Sequence, residues 1–173
     1  MSSVKIKILG CGNILTSDEG VGIHVIKRLS ELQLPKNIEI IDAGAGGIPI
    51  LDLFKDSRKV IIVDAISTID GEDGEVYRFT DRELLDKEMT SIAMHNLNLA
   101  DVVRVGRIIQ PELMPEEIVV FGIEVEREET FNVELSPKVK SSVPVVVEMI
   151  LSEIKRMNEE MEQGARRKKA EIG

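Results

Sequence analysis

Apolar and polar residues along this chain follow two alternating patterns, one typical of buried strands and the other of amphipathic helices. Nearly continuous apolar runs predict strands over 4–9, 38–41, 59–65 and 118–123, and a polar-interrupted run predicts an edge strand over 74–79. Apolar residues at near-helical spacing predict helices after Asp18 and over 48–54, 95–109 and 137–161. Strands and helices therefore alternate along the chain.

This alternation predicts an α/β fold with three layers, α/β/α, around a mostly parallel, twisted sheet of about five strands. The run KVIIVDA at 59–65 contains the continuous apolar stretch VIIV, as expected for a strand buried on both faces. The length of 173 residues suits one domain, which we place at 1–161. Residues 162–173 contain four consecutive basic residues and predict a basic, flexible tail. Pro144 should kink or interrupt the last helix.

Composition excludes several classes of protein. The chain has 22 Lys and Arg against 31 Asp and Glu, a net charge of −9, and no Trp, which disfavours a nucleic-acid-binding surface. The apolar run at the N-terminus is too short for a signal peptide or a membrane span. A single cysteine, Cys11, excludes an intramolecular disulfide and is typical of a reducing compartment. We therefore expect a cytoplasmic protein that binds neither nucleic acid nor membrane.

Acidic residues occur where three of the predicted parallel strands end. Asp18 and Glu19 follow the first strand, Asp42 ends the second, and Asp64 lies near the end of the third. The carboxyl ends of parallel strands form the crevice where ligands bind in such folds. Asp18 and Glu19 could instead cap a helix, and Asp42 could form a turn. Asp64 lies in an apolar strand, where a carboxylate is costly to bury unless it is paired, hydrogen-bonded or bound to metal.

The chain has two histidines, so a metal site would need carboxylates or water to complete it. His24 lies inside the first predicted helix and is interpreted as an ordinary packed or surface residue. His95 begins a later predicted helix, where it could be a helix-terminal residue or a ligand. Together with Glu19 and Asp64, His95 would form a mixed nitrogen and oxygen set that suits a divalent transition metal such as nickel or zinc.

The glycines after the first strand allow an alternative function. Gly10, Cys11 and Gly12, with Asp42 ending the second strand, imitate the phosphate loop of a Rossmann-like enzyme that binds a dinucleotide or S-adenosylmethionine. Leu15 stands where the third glycine of that motif belongs, so the match is incomplete. Cys11 has no assigned base and is not favoured as a nucleophile. A peptidyl-tRNA hydrolase and a non-enzymatic metal-dependent binding module are further alternatives, the first disfavoured by the net charge.

Five segments, taken in order, resemble one known family. The segments are ILGCGNILTSDEGVGIHVIKRL, IEIIDAGAGG, KVIIVDAI, MHNLNLADVV and VVFGIEVE. Their order and spacing over residues 4–155 resemble the hydrogenase maturation proteases, endopeptidases specific to the large subunits of nickel-iron hydrogenases. Asn96 and Asn98 replace the glutamine and glycine that relatives commonly carry, and Val125 replaces a proline. These departures bear on the identity of the substrate more than on the class of enzyme.

The resemblance implies an activity and a set of site residues. An enzyme of this family removes a C-terminal extension from the large-subunit precursor after nickel has been inserted, and it uses the bound nickel as the recognition element. The nickel would therefore be supplied by the precursor. The family's nickel-contacting residues fall on Glu19, Asp64 and His95. An aspartate of the family falls on Asp42, which we take as a candidate catalytic residue. We expect a monomer whose partner is the precursor.

Overall fold

The computed structural model describes residues 5–86, 99–126 and 131–172. Five strands are present in these ranges: β1 Ile6–Cys11, β2 Ile38–Gly44, β3 Lys59–Ile66, β4 Val76–Thr80 and β5 Glu117–Glu124. Five α-helices accompany them: α1 Val21–Ser30, α2 Ile50–Leu53, α3 Asp81–Leu85, α4 Leu99–Ile109 and α5 Pro137–Ile172. Short 3-10 helices span Ser17–Gly20 and Pro111–Leu113.

The strands form one sheet in the order β2-β1-β3-β5-β4. The first four strands in this order are parallel, and β4 runs antiparallel to β5 at the edge. Ile8 of β1 is opposite Ile40 of β2 and Ile61 of β3, so apolar residues meet across the middle of the sheet. The predicted sheet of about five mostly parallel strands, with 74–79 at its edge, is confirmed.

Helices cover both faces of the sheet. Ile61 and Val63 of β3 belong to the apolar core that contains α1 and α5. Val60 and Ile62 point to the opposite face, where the core contains α2, α3 and α4. Successive residues of a strand point to opposite faces, so a continuous apolar run is what a strand between two helical layers requires. The predicted three-layer α/β/α architecture is confirmed.

The last helix differs from its prediction at two points. It continues through Pro144 without interruption and ends at Ile172 instead of near 161. Pro144 lies on the exposed side of α5, where the loss of one backbone hydrogen bond is tolerated. Met161 is the last residue of α5 in the core, and the residues after it are exposed. Ala, Arg, Lys and Glu predominate there and favour a helix even without packing. The division of the chain at 161 and the flexibility of the tail stay predictions.

Buried and partly buried ion pairs attach α5 to the amino-terminal ends of β3 and β5 and to β4. Glu153 of α5, only 7% exposed, accepts two hydrogen bonds from Arg78 of β4 at 2.9 and 2.8 Å. Lys59 of β3 pairs with Glu117 at 2.9 Å and with Glu160 at 2.7 Å. The contacts of Lys59 lie at the opposite end of β3 from Asp64. The ion pairs orient the longest helix and leave the carboxyl edge of the sheet free for chemistry.

None of the helices in the described part of the chain has the length and hydrophobicity of a membrane span.

Candidate functional site

Glycines bring the segment after β1 into close contact with the carboxyl ends of β1 and β3. Gly12 has a φ of +131°, and a Cβ atom there would lie 2.1 Å from the Glu19 carbonyl oxygen. A Cβ atom on Gly22 would lie 2.3 Å from the Cys11 carbonyl oxygen and 2.5 Å from that of Val63. No side chain fits into either space. The glycines therefore let the 3-10 turn that contains Glu19 pack directly on the strand ends.

This packing brings Glu19 near Asp64. Asp64 lies near the end of β3, and its Oδ1 accepts a hydrogen bond from the Ala65 amide at 2.9 Å. Burial raises the pKa of Asp64 to about 7; the Ala65 hydrogen bond opposes the rise and the charge of nearby Glu19 adds to it. A carboxyl group with this pKa changes its protonation near neutral pH, as groups at functional sites often do. Two of the three predicted nickel contacts are thus close together.

His95, the third predicted contact, lies outside the described residues. Within the described ranges, no three His, Cys, Asp or Glu side chains are placed to hold a metal ion together. Glu19 and Asp64 supply oxygen donors alone, so a metal ion bound here would need further ligands from His95 or from a bound partner. A site of two carboxylates completed by other ligands fits a divalent ion that arrives with its own ligands.

Asp42 lies at the end of β2, at the same edge of the sheet, and is exposed. Its Oδ1 accepts a hydrogen bond from the Gly44 amide at 2.9 Å, which is the turn-forming role considered from the sequence. The Gly44 carbonyl in turn accepts from the Gly12 amide at 2.8 Å and joins this turn to the loop after β1. The predicted catalytic role of Asp42 stays a prediction.

Cys11 ends β1 and is 3% exposed. Burial raises the pKa of the Cys11 thiol well above its usual range, and the charges of Asp64 and Asp42 raise it further. A nucleophilic cysteine needs the opposite surroundings, because the thiolate is the reactive form. Cys11 is therefore a buried packing residue at the end of β1 and not a nucleophile.

Asp18 and Glu19 are neighbours with different surroundings. Asp18 Oδ1 accepts a hydrogen bond from the Ser136 amide at 2.7 Å, immediately before α5. The capping role considered for Asp18 is thus performed on a distant helix and not on α1. His24 of α1 lies in a cleft lined by Lys27 and Pro144, which neither Glu19 nor Asp64 lines. His24 is therefore separate from the carboxylate site.

The sequence interpretation missed one residue at this edge. Glu124 ends β5 and is 3% exposed, although the sequence interpretation contains it only within the segment VVFGIEVE. The signal that singled out Asp64, a carboxylate at the end of an apolar strand, is equally present in IVVFGIE at 118–124. Glu124 is buried at the same edge of the sheet as Asp64.

Comparisons with known proteins agree with this architecture. The family model for hydrogenase maturation proteases matches residues 23–153. The chain is 35% identical over 162 residues to a relative from Methanocaldococcus jannaschii, with 90% of this chain and 100% of the relative covered. It is 29% identical over 153 residues to the hydrogenase 2 maturation protease of Escherichia coli, with 88% of this chain and 92% of that protein covered.

Solved structures show the same similarity. The hydrogenase maturating endopeptidase HybD from E. coli superposes with a TM-score of 0.76 and 27% identity over 88% of this chain and 93% of that one. The [NiFe] hydrogenase maturation protease HybD from Thermococcus kodakarensis gives a TM-score of 0.71 and 26% identity over 86% of this chain and 97% of that one. These matches disfavour the Rossmann-like cofactor enzyme. The chain belongs to the hydrogenase maturation protease family and is a hydrolase of the endopeptidase class.

Proposed function

We propose that this protein removes the C-terminal extension from the large-subunit precursor of a nickel-iron hydrogenase after nickel insertion, and that the nickel held by the precursor is the recognition element. The observation that carries the proposal is the packing of the turn that contains Glu19 on the carboxyl ends of β1 and β3, which places Glu19 at the same edge of the sheet as Asp64. Two carboxylates alone make an incomplete metal site. An incomplete site suits a metal ion that arrives already bound to its substrate.

Recognition would depend on the charge of Asp64. Without a cation, burial and Glu19 disfavour ionisation of Asp64, whose pKa is about 7. A divalent ion beside the two carboxylates would reverse this preference, because an opposite charge favours the ionised form. A precursor that lacks nickel would then meet two carboxylates with no cation between them. Glu19 and Asp64, with His95 as a nitrogen donor, would thus favour loaded precursor over empty precursor.

Peptide hydrolysis also needs a route for protons. The divalent ion of the loaded precursor can polarise a carbonyl group or lower the pKa of a bound water. Asp42 is exposed at the same edge, with Oδ1 engaged by the Gly44 amide. We assign Asp42 as the candidate general base, since a positioned carboxylate can accept a proton from the attacking water.

We infer that the enzyme acts as a monomer in the cytoplasm, without a nucleic-acid or membrane partner. The net charge of −9 supports the absence of a nucleic-acid partner, because a negatively charged protein surface repels a polyanion. The single cysteine is free and buried, which fits a protein that does not rely on disulfides. Sedimentation of the purified protein tests the monomer directly.

The decisive experiment is intact-mass analysis of a cognate precursor incubated with this protein, with and without prior nickel loading. Cleavage is expected only for loaded precursor, and Glu19→Gln and Asp64→Asn should lower the rate at least a hundredfold. Glu148→Gln, on the exposed side of α5, serves as the matched control and should keep the wild-type rate. Equal cleavage of unloaded precursor would refute recognition through nickel. Failure to cleave a correctly matched, loaded precursor would refute the proposed activity.

A further inference from the structure

β2 forms one edge of the sheet, and its outer side has no partner strand in the described ranges. The sheet order β2-β1-β3-β5-β4 places β1 on one side of β2 and no described strand on the other. Every residue of β2 is at least partly exposed, whereas β3 and β5 are mostly buried. An edge strand of this kind presents backbone N–H and C=O groups with which an extended polypeptide can pair.

The hydrogen bonds to β1 show which backbone groups of β2 face outward. The Asn37 carbonyl accepts a hydrogen bond from the Ile6 amide at 3.2 Å, so residue 37 faces β1. A parallel strand bonds to one neighbour at every second residue, so 39 and 41 also face β1. The backbone groups of Ile40 and Asp42 therefore face away from β1. Among the described residues, no other segment donates a backbone hydrogen bond to them or accepts one from them.

β2 lacks the features that usually block an edge strand. Natural edges are often protected by lysine, by proline or by a bulge. The sequence IEIIDAG at 38–44 contains neither lysine nor proline, and its register with β1 is regular from Ile38 to Asp42. Ile38 and Ile40 pack partly on the core of one face, and Ile41 packs partly on the core of the other. An added strand with apolar residues would complete the cover of these isoleucines.

The outer edge of β2 ends at the candidate site. Asp42 lies near the end of the strand, and the turn that contains Glu19 packs on the ends of β1 and β3. Neighbouring strands are about 4.8 Å apart, so an added strand beside β2 would lie about 14 Å from β3. About four or five extended residues cross that distance. β4, the other edge strand, contains none of the predicted site residues.

The occupant of this edge follows from the class of enzyme, because an endopeptidase binds a polypeptide. We propose that the C-terminal extension of the precursor binds as an added strand on the outer edge of β2, with hydrogen bonds to the backbone of Ile40 and Asp42. The nickel-holding part of the precursor would occupy Glu19 and Asp64, which leaves the β2 edge for the chain beyond the scissile bond. Backbone pairing supplies the affinity, and apolar residues of the extension cover the isoleucines of β2. This inference rests on the proposed function.

Amide hydrogen exchange tests the added strand without any cleavage. A synthetic peptide with the sequence of a cognate C-terminal extension is titrated to saturation into ¹⁵N-labelled protein, and exchange is followed by NMR. Exchange of the Ile40 and Asp42 amides should slow at least tenfold, because both become hydrogen-bonded to the peptide.

The other edge of the sheet provides the matched control within the same experiment. The Thr80 amide donates to Glu83 Oε2 at 2.7 Å and so faces away from β5. Arg78, two residues earlier on β4, directs its amide to the same outer side. Exchange of the Arg78 amide should not change when the peptide binds.

Methylation of the peptide backbone provides a second measurement that does not depend on the folding of a protein variant. One N-methyl group at a time is placed along the extension peptide. A strand paired along one side bonds at every second residue, so binding should weaken at least tenfold at alternate positions and less than twofold between them. Ile40→Pro removes the outward amide, a change that edge strands tolerate, and should weaken binding at least tenfold. Glu148→Gln on α5 should bind as wild type does.

Four outcomes overturn the added strand: no saturable binding of the peptide, unchanged exchange of the Ile40 and Asp42 amides at saturation, N-methyl effects without a two-residue period, or undiminished binding by folded Ile40→Pro. Slower exchange of these amides with rising protein concentration and no peptide would assign the edge to a second copy of this chain, which also overturns it. Failure of the wild type to cleave loaded precursor would refute the proposed function and leave the peptide measurements to decide the added strand. Cleavage without protection of Ile40 and Asp42 would refute the added strand alone.

Discussion

The carboxylate of Asp18 accepts a hydrogen bond from the Ser136 amide over 2.7 Å and joins segments that are 118 residues apart. The bond holds the 3-10 turn that contains Glu19 against the start of α5. Burial raises the pKa of Asp64, and the charge of Glu19, the residue after Asp18, adds to this rise. The two adjacent acidic residues therefore have different roles: Asp18 positions the turn, and Glu19 provides charge at the candidate site.

This difference in roles predicts that one substitution lowers stability and the other lowers cleavage activity. Asp18→Ala removes a charged acceptor from a backbone amide and should lower the free energy of unfolding by about 1–2 kcal/mol. Glu19→Gln should change stability by less than about 0.5 kcal/mol, because Glu19 is partly exposed, while cleavage of loaded precursor is lost. Urea denaturation and cleavage assays measure the two effects. A large loss of stability in Glu19→Gln would contradict this assignment of roles to Asp18 and Glu19.

The raised pKa of Asp64 predicts that its ionisation destabilises the folded protein. Below its unfolded pKa, near 3.8, Asp64 is protonated in both states and has no effect. As pH rises to about 7, the unfolded state loses the proton first, so stability is lost progressively. Asp64→Asn should therefore be more stable than wild type by up to about 4 kcal/mol above pH 7, with the difference vanishing near pH 4. Urea denaturation at a series of pH values measures this difference.

Asp101→Asn provides the control for this pH series, because Asp101 is exposed and pairs with nearby Arg104. Its stability difference from wild type should stay small between pH 4 and 8. A flat difference for Asp64→Asn over the same range would show that the Asp64 pKa is not raised. Carbon-13 NMR of the Asp64 carboxyl group gives the pKa independently.

The raised pKa of Cys11 predicts an unreactive thiol. Burial and the charges of Asp64 and Asp42 keep the group protonated at neutral pH. Labelling of the native protein by a thiol-disulfide reagent should be at least a hundredfold slower than labelling in denaturant. Cys11→Ala should keep cleavage activity, since the thiol takes no part in the chemistry. Rapid labelling of the native protein, or loss of activity in a folded Cys11→Ala variant, would contradict this assignment.

The close approach of α1 to the strand ends predicts that Gly22 tolerates no side chain. The Cβ atom of Gly22→Ala would lie 2.3 and 2.5 Å from two backbone oxygens, so either α1 or the strands must move. We expect a loss of about 2–4 kcal/mol, at or slightly above the usual range for overpacking because backbone cannot yield like a side chain. Thermal unfolding and circular dichroism measure the loss.

Gly164→Ala is the matched control within α5. A Cβ atom at Gly164 meets nothing within 4 Å, and alanine is the better helix former. This variant should be no less stable than wild type, with a gain of at most about 0.5 kcal/mol because Gly164 lies beyond the last core residue of α5. A Gly22→Ala protein as stable as wild type would show that α1 does not need to pack so closely.

The exposed end of α5 predicts that the basic tail is dispensable for folding. Met161 is the last core residue of the helix, and 162–172 are exposed. A protein ending at 161 should keep the wild-type free energy of unfolding within about 0.5 kcal/mol. Urea denaturation tests this expectation, and a larger loss would mean that the tail belongs to the domain.

The local sequence pattern predicted the sheet because a strand that is buried on both faces has apolar residues at consecutive positions. Positions 60–63 are all apolar, since both faces of β3 are covered by helices. Asp64 itself was recognisable because a carboxylate in such a strand needs a reason to be there. The predicted end of the last helix, near 161, was wrong. The core contacts stop at Met161, but the residues after it favour a helix by intrinsic propensity, so α5 continues to Ile172.

By itself, the sequence determined the strand and helix pattern, the three-layer fold class and the group of acidic residues at one edge of the sheet. Tertiary structure decided the surroundings of the charged residues: Glu19 lies at the same edge as Asp64, Asp18 accepts from the Ser136 amide, and Glu124 keeps a buried oxygen that has no hydrogen-bond partner among the described residues. Periodicity and burial depend on near neighbours along the chain. The surroundings of a charged group depend on residues far away along the chain, 118 positions away in the case of Asp18 and Ser136, and no local pattern records them.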